Sequence, residues 1–155
     1  MKENLKLKIL IILAIAAILT LGLLWQLMAD LNAFDRILYC NITIIQNETE
    51  EFLEKNKNEI RDKDVREYYL GIYYPMSSLN TVSMKNGFYK KADMTAFKRL
   101  SASMFQRTEK YGEYYDFLSE VCEELKSAQK DYNKNKAFQT LSKIEEKSGA
   151  FLKTL

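Results

Sequence analysis

The chain has no histidine anywhere in its 155 residues, and that absence narrows its chemistry more than any residue present. Without imidazole there is no Ser-His-Asp or Cys-His relay, no usual general base, and none of the commonest zinc ligand. The 5 glycines are too few and too scattered for a phosphate-cradling loop, and no acidic stretch has calcium-ligand spacing. Carboxylates do occur side by side, at Glu50-Glu51, Glu123-Glu124 and Glu145-Glu146. Neighbouring positions on a helix diverge by about 100°, so these pairs read as solvated faces rather than acid–base couples. We therefore expect no enzyme, no cofactor and no metal site.

Charge of one sign is equally scarce once the ends are separated. Residues 1–8 hold three lysines and Glu3, which account for the whole formal charge of +2. Residues 29–155 hold 20 basic and 20 acidic side chains, so no basic stripe exists to displace counterions from a nucleic acid, and no nucleic-acid partner is expected. The basic residues are 18 Lys against 5 Arg, which disfavours a site built on bidentate anion clamps. The abundance of Lys, Asn and Ile resembles an AT-rich bacterial genome. On that reading the acceptor triplets at Asn41 and Asn47 stay unmodified.

What is present is one long apolar run, Ile9 to Met28, without a single charge. Twenty residues at about 1.5 Å each reach roughly 30 Å, the thickness of a bilayer's hydrocarbon core. Lys2, Lys6 and Lys8 precede the run and Asp30 follows it, which places the N-terminus in the cytoplasm and the rest outside. Trp25 then falls at the outer headgroup level as an interfacial anchor. A cleaved signal peptide fits less well, because the only suitable small residue, Ala29, has the bulky Leu27 in place of a small one before it. Ala16 and Thr20 form a small-xxx-small pair able to seat a partner helix, but the motif is common by chance and lipid contact is the preferred reading. The expected organisation is a basic cytoplasmic tail at 1–8, a transmembrane signal anchor at 9–28 and an extracytoplasmic module at 29–155.

Beyond the anchor the pattern is helical throughout, with no sustained strand alternation. Leu27, Leu31, Phe34, Leu38, Asn41, Ile45 and Phe52 follow coiled-coil spacing, which predicts that the anchor helix continues as a stalk to about residue 60. Arg61 to Asp64 reads as a turn. Val65, Tyr69, Ile72, Met76 and Leu79 mark a second helix, ending at Asn86-Gly87 and kinked at Pro75 near the flexible Gly71. Asp93 or Thr95 caps the next helical stretch, whose apolar positions run from Phe97 to Leu125. Its phase continues through Gly112, yet one helix of that length would reach roughly 60 Å and overhang a stalk of about 48 Å. A break near Gly112 is the preferred solution. The segment from Asp131 to Asn135 interrupts the pattern again, and Ala137, Leu141, Ile144, Ser148, Phe151 and Leu155 define a last helix. The fold class is all-α, a single transmembrane helix continuing into an antiparallel bundle of four or five helices.

Three groups of residues are candidates for function, beside the tyrosines that fill the core. Phe88, Tyr89, Lys90 and Lys91 combine aromatic and basic side chains in the turn that returns toward the lipid, and are expected at the outer membrane interface with Trp25. Cys40 and Cys122 both lie outside, where an even count permits a disulfide; two small buried apolar side chains are the other reading. Tyr69, Tyr111 and Tyr115 are expected in the core, with Tyr68, Tyr73 and Tyr114 at its margin. Tyr74 alone points away from its helix's apolar seam and is the candidate partner contact. These features suggest a bitopic protein of the cytoplasmic membrane whose outer bundle acts as a protein-interaction, regulatory or scaffold module. Its expected partners are the bilayer and a membrane or envelope protein. The alternative is a ligand-sensing four-helix module, with a small-molecule ligand, that signals through a membrane partner because so short an inner tail leaves no room for an output domain.

Overall fold

The computed structural model describes residues 2–55, 59–85, 93–107, 110–130 and 132–155, with side chains described from residue 9 onward and, in the second helix, as far as residue 80. It contains helices α1 (Lys2–Glu54), α2 (Asp62–Lys85), α3 (Thr95–Ser103), α4 (Tyr111–Lys130) and α5 (Lys134–Leu152), and among the described residues there is no strand. The chain divides into two compact units, Met1–Arg36 and Ile37–Leu155.

In the first unit every residue from Ile9 to Met28 is exposed, including Leu13, Ile18 and Leu23. This part of α1 is long and apolar enough to cross a membrane. Its one hydroxyl, on Thr20, donates back to the carbonyls of Ala16 at 3.0 Å and Ala17 at 2.9 Å, so the polar group is satisfied without solvent.

The second unit is held by a core drawn from all five helices. Leu38, Ile42 and Ile45 of α1, Val65, Ile72 and Met76 of α2, Phe97 and Leu100 of α3, Leu118, Val121 and Leu125 of α4, and Leu141 and Ile144 of α5 are almost completely shielded from water. Helix α5 packs on α3 and α4, and α2 packs on α3. Burial on this scale contributes roughly 1.5–3 kcal/mol per large aliphatic side chain before the entropy of ordering is subtracted.

Several boundaries differ from the sequence expectation. Helix α1 ends at Glu54 rather than near residue 60. The hydroxyl of Tyr115 donates to the carbonyl of Leu53, one of the terminal carbonyls that the helix leaves open. The expected turn at Arg61–Asp64 is instead the start of α2. Asp64 reaches back to accept the Arg61 N–H at 3.0 Å, half of a capping box, while Lys55 binds its other oxygen at 3.0 Å. Two acidic groups in that first turn, Asp62 and Asp64, also suit the positive end of the helix dipole.

Helix α2 continues through the buried Pro75 to Lys85, and the expected cap at Asn86-Gly87 lies outside the described residues. The long stretch after Asp93 does break, a few residues earlier than Gly112: α3 stops at Ser103, Met104 to Gln106 form a turn, and Gly112 sits in the first turn of α4. Met104 is buried at that corner, which lets the apolar phase run on although the helix does not. Asn133 caps α5, its side chain accepting from the N–H groups of Asn135 and Lys136.

The tyrosines required the largest correction. Tyr68 and Tyr114, expected at the margin, are in the core, whereas Tyr69, Tyr111 and Tyr115 are only half-buried. A one-residue change of phase rotates a helix position by about 100°, and at Tyr68-Tyr69 and Tyr114-Tyr115 the sequence offers a tyrosine on either side of that choice. In both pairs the tyrosine that enters the core has its hydroxyl bonded to a side chain of another helix. Tyr68 meets Thr49 Oγ1 at 3.2 Å, and Tyr114 meets Ser103 Oγ at 2.9 Å.

Candidate interaction surface

The buried stripe of α2 runs through Val65, Tyr68, Ile72, Met76 and Leu79, so Leu70 and Tyr74 fall on the opposite side of the helix. Tyr74 is 76% exposed and Leu70 52%. They are one helical turn apart and present adjoining apolar surface.

Around them the aromatic rings form a connected row. Tyr74 meets Tyr73 edge-on at 5.6 Å between centroids, Tyr73 meets Tyr69 at 5.7 Å, and Tyr69 meets Phe105 edge-on at 5.5 Å. Phe105 comes from the turn after α3, so the row joins two elements. Lys98 of α3 lies over the Tyr73 ring with Nζ 3.9 Å from its centroid, and also donates to Ser77 Oγ at 3.2 Å. A cation in that position adds about 0.5–1 kcal/mol at an exposed site. The result is a connected aromatic ridge with a polar margin.

The charged clefts elsewhere carry more carboxylates than lysines, and ion pairs engage only some of them. Between α1 and α2 a small cleft of about 30 Å³ is lined by Glu48, Glu51, Lys55, Asp64 and Glu67. The hydrogen bond from Lys55, followed by that from the Arg61 backbone, holds the Asp64 carboxyl below its ordinary range, and the same Lys55–Asp64 bond raises Lys55. Burial, with Glu51 adding to it, pushes Glu48 up. Between α1 and α4 a cleft of about 230 Å³ is lined by Glu50, Glu54, Cys122, Glu123 and Lys126, among others. Lys126 binds Glu50 at 2.9 Å, which lowers Glu50 and raises Lys126. Burial pushes the Cys122 thiol up, so it is held as a thiol rather than the nucleophilic thiolate. Among the described residues no group of three or more Cys, Asp or Glu side chains is placed to hold a metal ion.

Of the residues singled out from sequence, Tyr74 is exposed at the end of the aromatic row and Trp25 is exposed on α1 at 78%. Cys40 and Cys122 are both free thiols, the first exposed and the second buried. Phe88, Tyr89, Lys90 and Lys91 lie outside the described residues. Sequence reasoning did not bring Leu70, Tyr69, Tyr73, Lys98 and Phe105 to the same surface as Tyr74. Leu70 was within reach, since it stands four positions before Tyr74 on one helix face; Lys98 and Phe105 belong to another element and carried no such signal.

Comparison of the chain with protein-family models, with curated proteins and with solved structures finds no match.

Proposed function

We propose that this chain is a membrane-anchored interaction module. In this reading Ile9 to Met28 crosses the bilayer with the N-terminus on the cytoplasmic side, the helices of the second unit form an antiparallel bundle outside, and the ridge at Tyr74 binds a protein partner in the membrane or envelope.

The observation that carries the interaction role is the pairing of Tyr74 and Leu70, both more than half exposed, at the end of a row of contacting rings. Tyrosine is enriched at binding hot spots, and an aromatic surface with a polar rim suits protein recognition. The anchor is supported by a helix that is apolar all round yet entirely unburied from Ile9 to Met28, the pattern of a lipid-facing span rather than of a soluble core helix. Lysines on one side of the run support the orientation. The clefts favour an interaction role over ligand sensing, because they are small, about 30 Å³ and 230 Å³, and lined mainly by charged side chains.

The test is photo-cross-linking in the native membrane with a benzophenone amino acid in place of Tyr74 or Leu70. A discrete protein product is expected from both positions and none from the exposed Ser127 on α4. Identical products from all three positions would remove the assignment. A membrane-impermeant maleimide applied to intact cells should label Cys40, and labelling only after lysis would reverse the orientation.

A further inference from the structure

The aromatic ridge is electrically lopsided. On α2, Arg66, Leu70, Tyr73 and Ser77 follow steps of four and three residues, so the exposed Arg66 stands one turn before Leu70 on the line that also holds Tyr73. Lys98 of α3 joins that line, over the Tyr73 ring and bonded to Ser77. From Tyr68 to Asn80 there is no charged residue, and from Met94 to Arg107 there are three basic residues and no acidic one, in a chain with 21 Asp and Glu. Of those three, Arg99 acts on Glu145 of α5. Among the described residues neither Arg66 nor Lys98 makes an ion pair.

The neighbouring carboxylates lie on the other flank or beyond the end of the ridge. Glu48 and Glu51 of α1 line a cleft with Glu67 of α2 and Lys55, and Glu67 is already held by Lys63 at 3.5 Å and Lys55 at 3.6 Å. Glu48 approaches α2 at Gly71, about 100° around the helix from Leu70, whereas Tyr73 is about 60° around in the opposite sense. Asp93 sits beside Asn80, which accepts the Met94 N–H, and its own carboxylate accepts from Thr95. The α3 flank of the ridge therefore carries two cations without a counter-charge, and the α1 flank carries the acids.

We propose that the ridge takes an acidic segment of its protein partner, an apolar side chain seated on Leu70 and Tyr74 and a carboxylate beside it meeting Arg66 and Lys98. The inference rests on the interaction reading and names the chemistry of the partner. A basic segment would set like charges against Arg66 and Lys98, which complementary interfaces avoid. An anionic lipid surface is disfavoured by the same geometry, since a continuous sheet of negative charge would also face Glu48, Glu51 and Glu67. A discrete segment places its carboxylate on one flank only.

Photo-cross-linking of the full-length protein in native membranes, with the benzophenone at Tyr74 and the linked peptide sequenced by mass spectrometry, tests this. The partner segment is expected to carry Asp or Glu within one helical turn of the linked residue. Arg66→Glu with Lys98→Glu should lower the yield about tenfold, and rising salt should lower it in the parent, while Ser127→Glu on α4 leaves it unchanged. Arg66→Glu alone, at an exposed position outside the core, should still reduce the yield about threefold with helical content unchanged, so the result does not hang on the Lys98–Tyr73 contact. A linked segment without carboxylates, a lipid adduct, or a yield indifferent to these reversals overturns the acidic partner and leaves the interaction reading standing. No product from either Tyr74 or Leu70 overturns both.

Discussion

The carboxylate of Glu145, in the middle of α5, accepts the backbone N–H of Ala96 at the start of α3 at 2.6 Å. Its other oxygen takes the N–H of Phe97 at 3.1 Å. The N-cap residue of α3, Met94, has no side chain able to do this, and Asp93 reaches only Thr95, through its N–H at 3.1 Å and its hydroxyl at 2.6 Å. A distant glutamate thus serves as the cap of α3 and fastens it to α5. Replacing Glu145 with Ala should cost about 1–2 kcal/mol of unfolding free energy, and Glu145→Gln, which keeps one acceptor, about half of that. Urea titration of the two variants checks the order.

The same residue carries a pH signature. Burial raises the Glu145 carboxyl above its ordinary value despite the two backbone hydrogen bonds that favour the charged form. A carboxyl raised in the fold binds more protons folded than unfolded, so its contribution is fully present below the unfolded pKa and declines as pH rises through the folded one. Glu145→Gln should remove that decline, read as a smaller loss of melting temperature between mildly acidic and neutral buffer than in the parent.

The link between α4 and α5 should respond in the opposite sense. Lys147 lies 2.7 Å from Glu124 and 3.1 Å from Glu120, and Lys143 lies 2.9 Å from Glu124. Burial pushes the Glu124 carboxyl up, but the hydrogen bonds from Lys147 and Lys143 outweigh it and hold the group below its ordinary value. That stabilisation is present above the unfolded pKa and is lost as pH falls through the folded one. Lys147→Ala is expected to cost about 1 kcal/mol at neutral pH and progressively less in acid, measured by denaturant unfolding at each pH.

Gly71 on α2 lies under the side chain of Glu48 on α1. A methyl group there would overlap the Glu48 carboxylate and come within 2.9 Å of its Cγ. The obstacle is the end of a flexible, half-buried side chain rather than backbone. Gly71→Ala should therefore displace Glu48 and leave the protein unchanged or up to about 1 kcal/mol more stable, from the higher helix propensity of alanine. A calorimetric melt decides the sign.

The two thiols should separate cleanly by reactivity. Cys40 is exposed, whereas Cys122 is buried and its thiol raised by that burial. Under native conditions a maleimide should modify one thiol per chain, at Cys40, and reach Cys122 only when the chain is unfolded. Peptide mapping after brief labelling reads this directly. Rapid native labelling of both would place Cys122 at the surface.

Much of this architecture was legible in the amino-acid order alone. The apolar run from Ile9 to Met28, the all-helical class and the interruption after Lys130 depend on local composition and on a hydrophobic period that each helix carries by itself. The stripe through Leu38, Asn41, Ile45 and Phe52 follows from the same period, and all four are buried. The preference for a break after Asp93 came from matching helix lengths, a geometric argument that local pattern opposed.

What only the tertiary structure decided are the relationships between distant segments. Tyr68 and Tyr114 enter the core in place of Tyr69 and Tyr115, their hydroxyls bonded to Thr49 and Ser103 on other helices, and no helix period contains that information. Glu145 caps α3 through the N–H of Ala96, 49 residues earlier in the chain, so nothing near Ala96 announces its partner. Phe105 and Lys98 join Tyr69, Tyr73 and Tyr74 in one ridge only because α3 packs on α2. The sequence determines which helices form and the broad apolar face of each, since hydrophobic period and backbone preference are local; packing decides between adjacent candidates and which distant groups meet, since that is settled by whatever element lies against them.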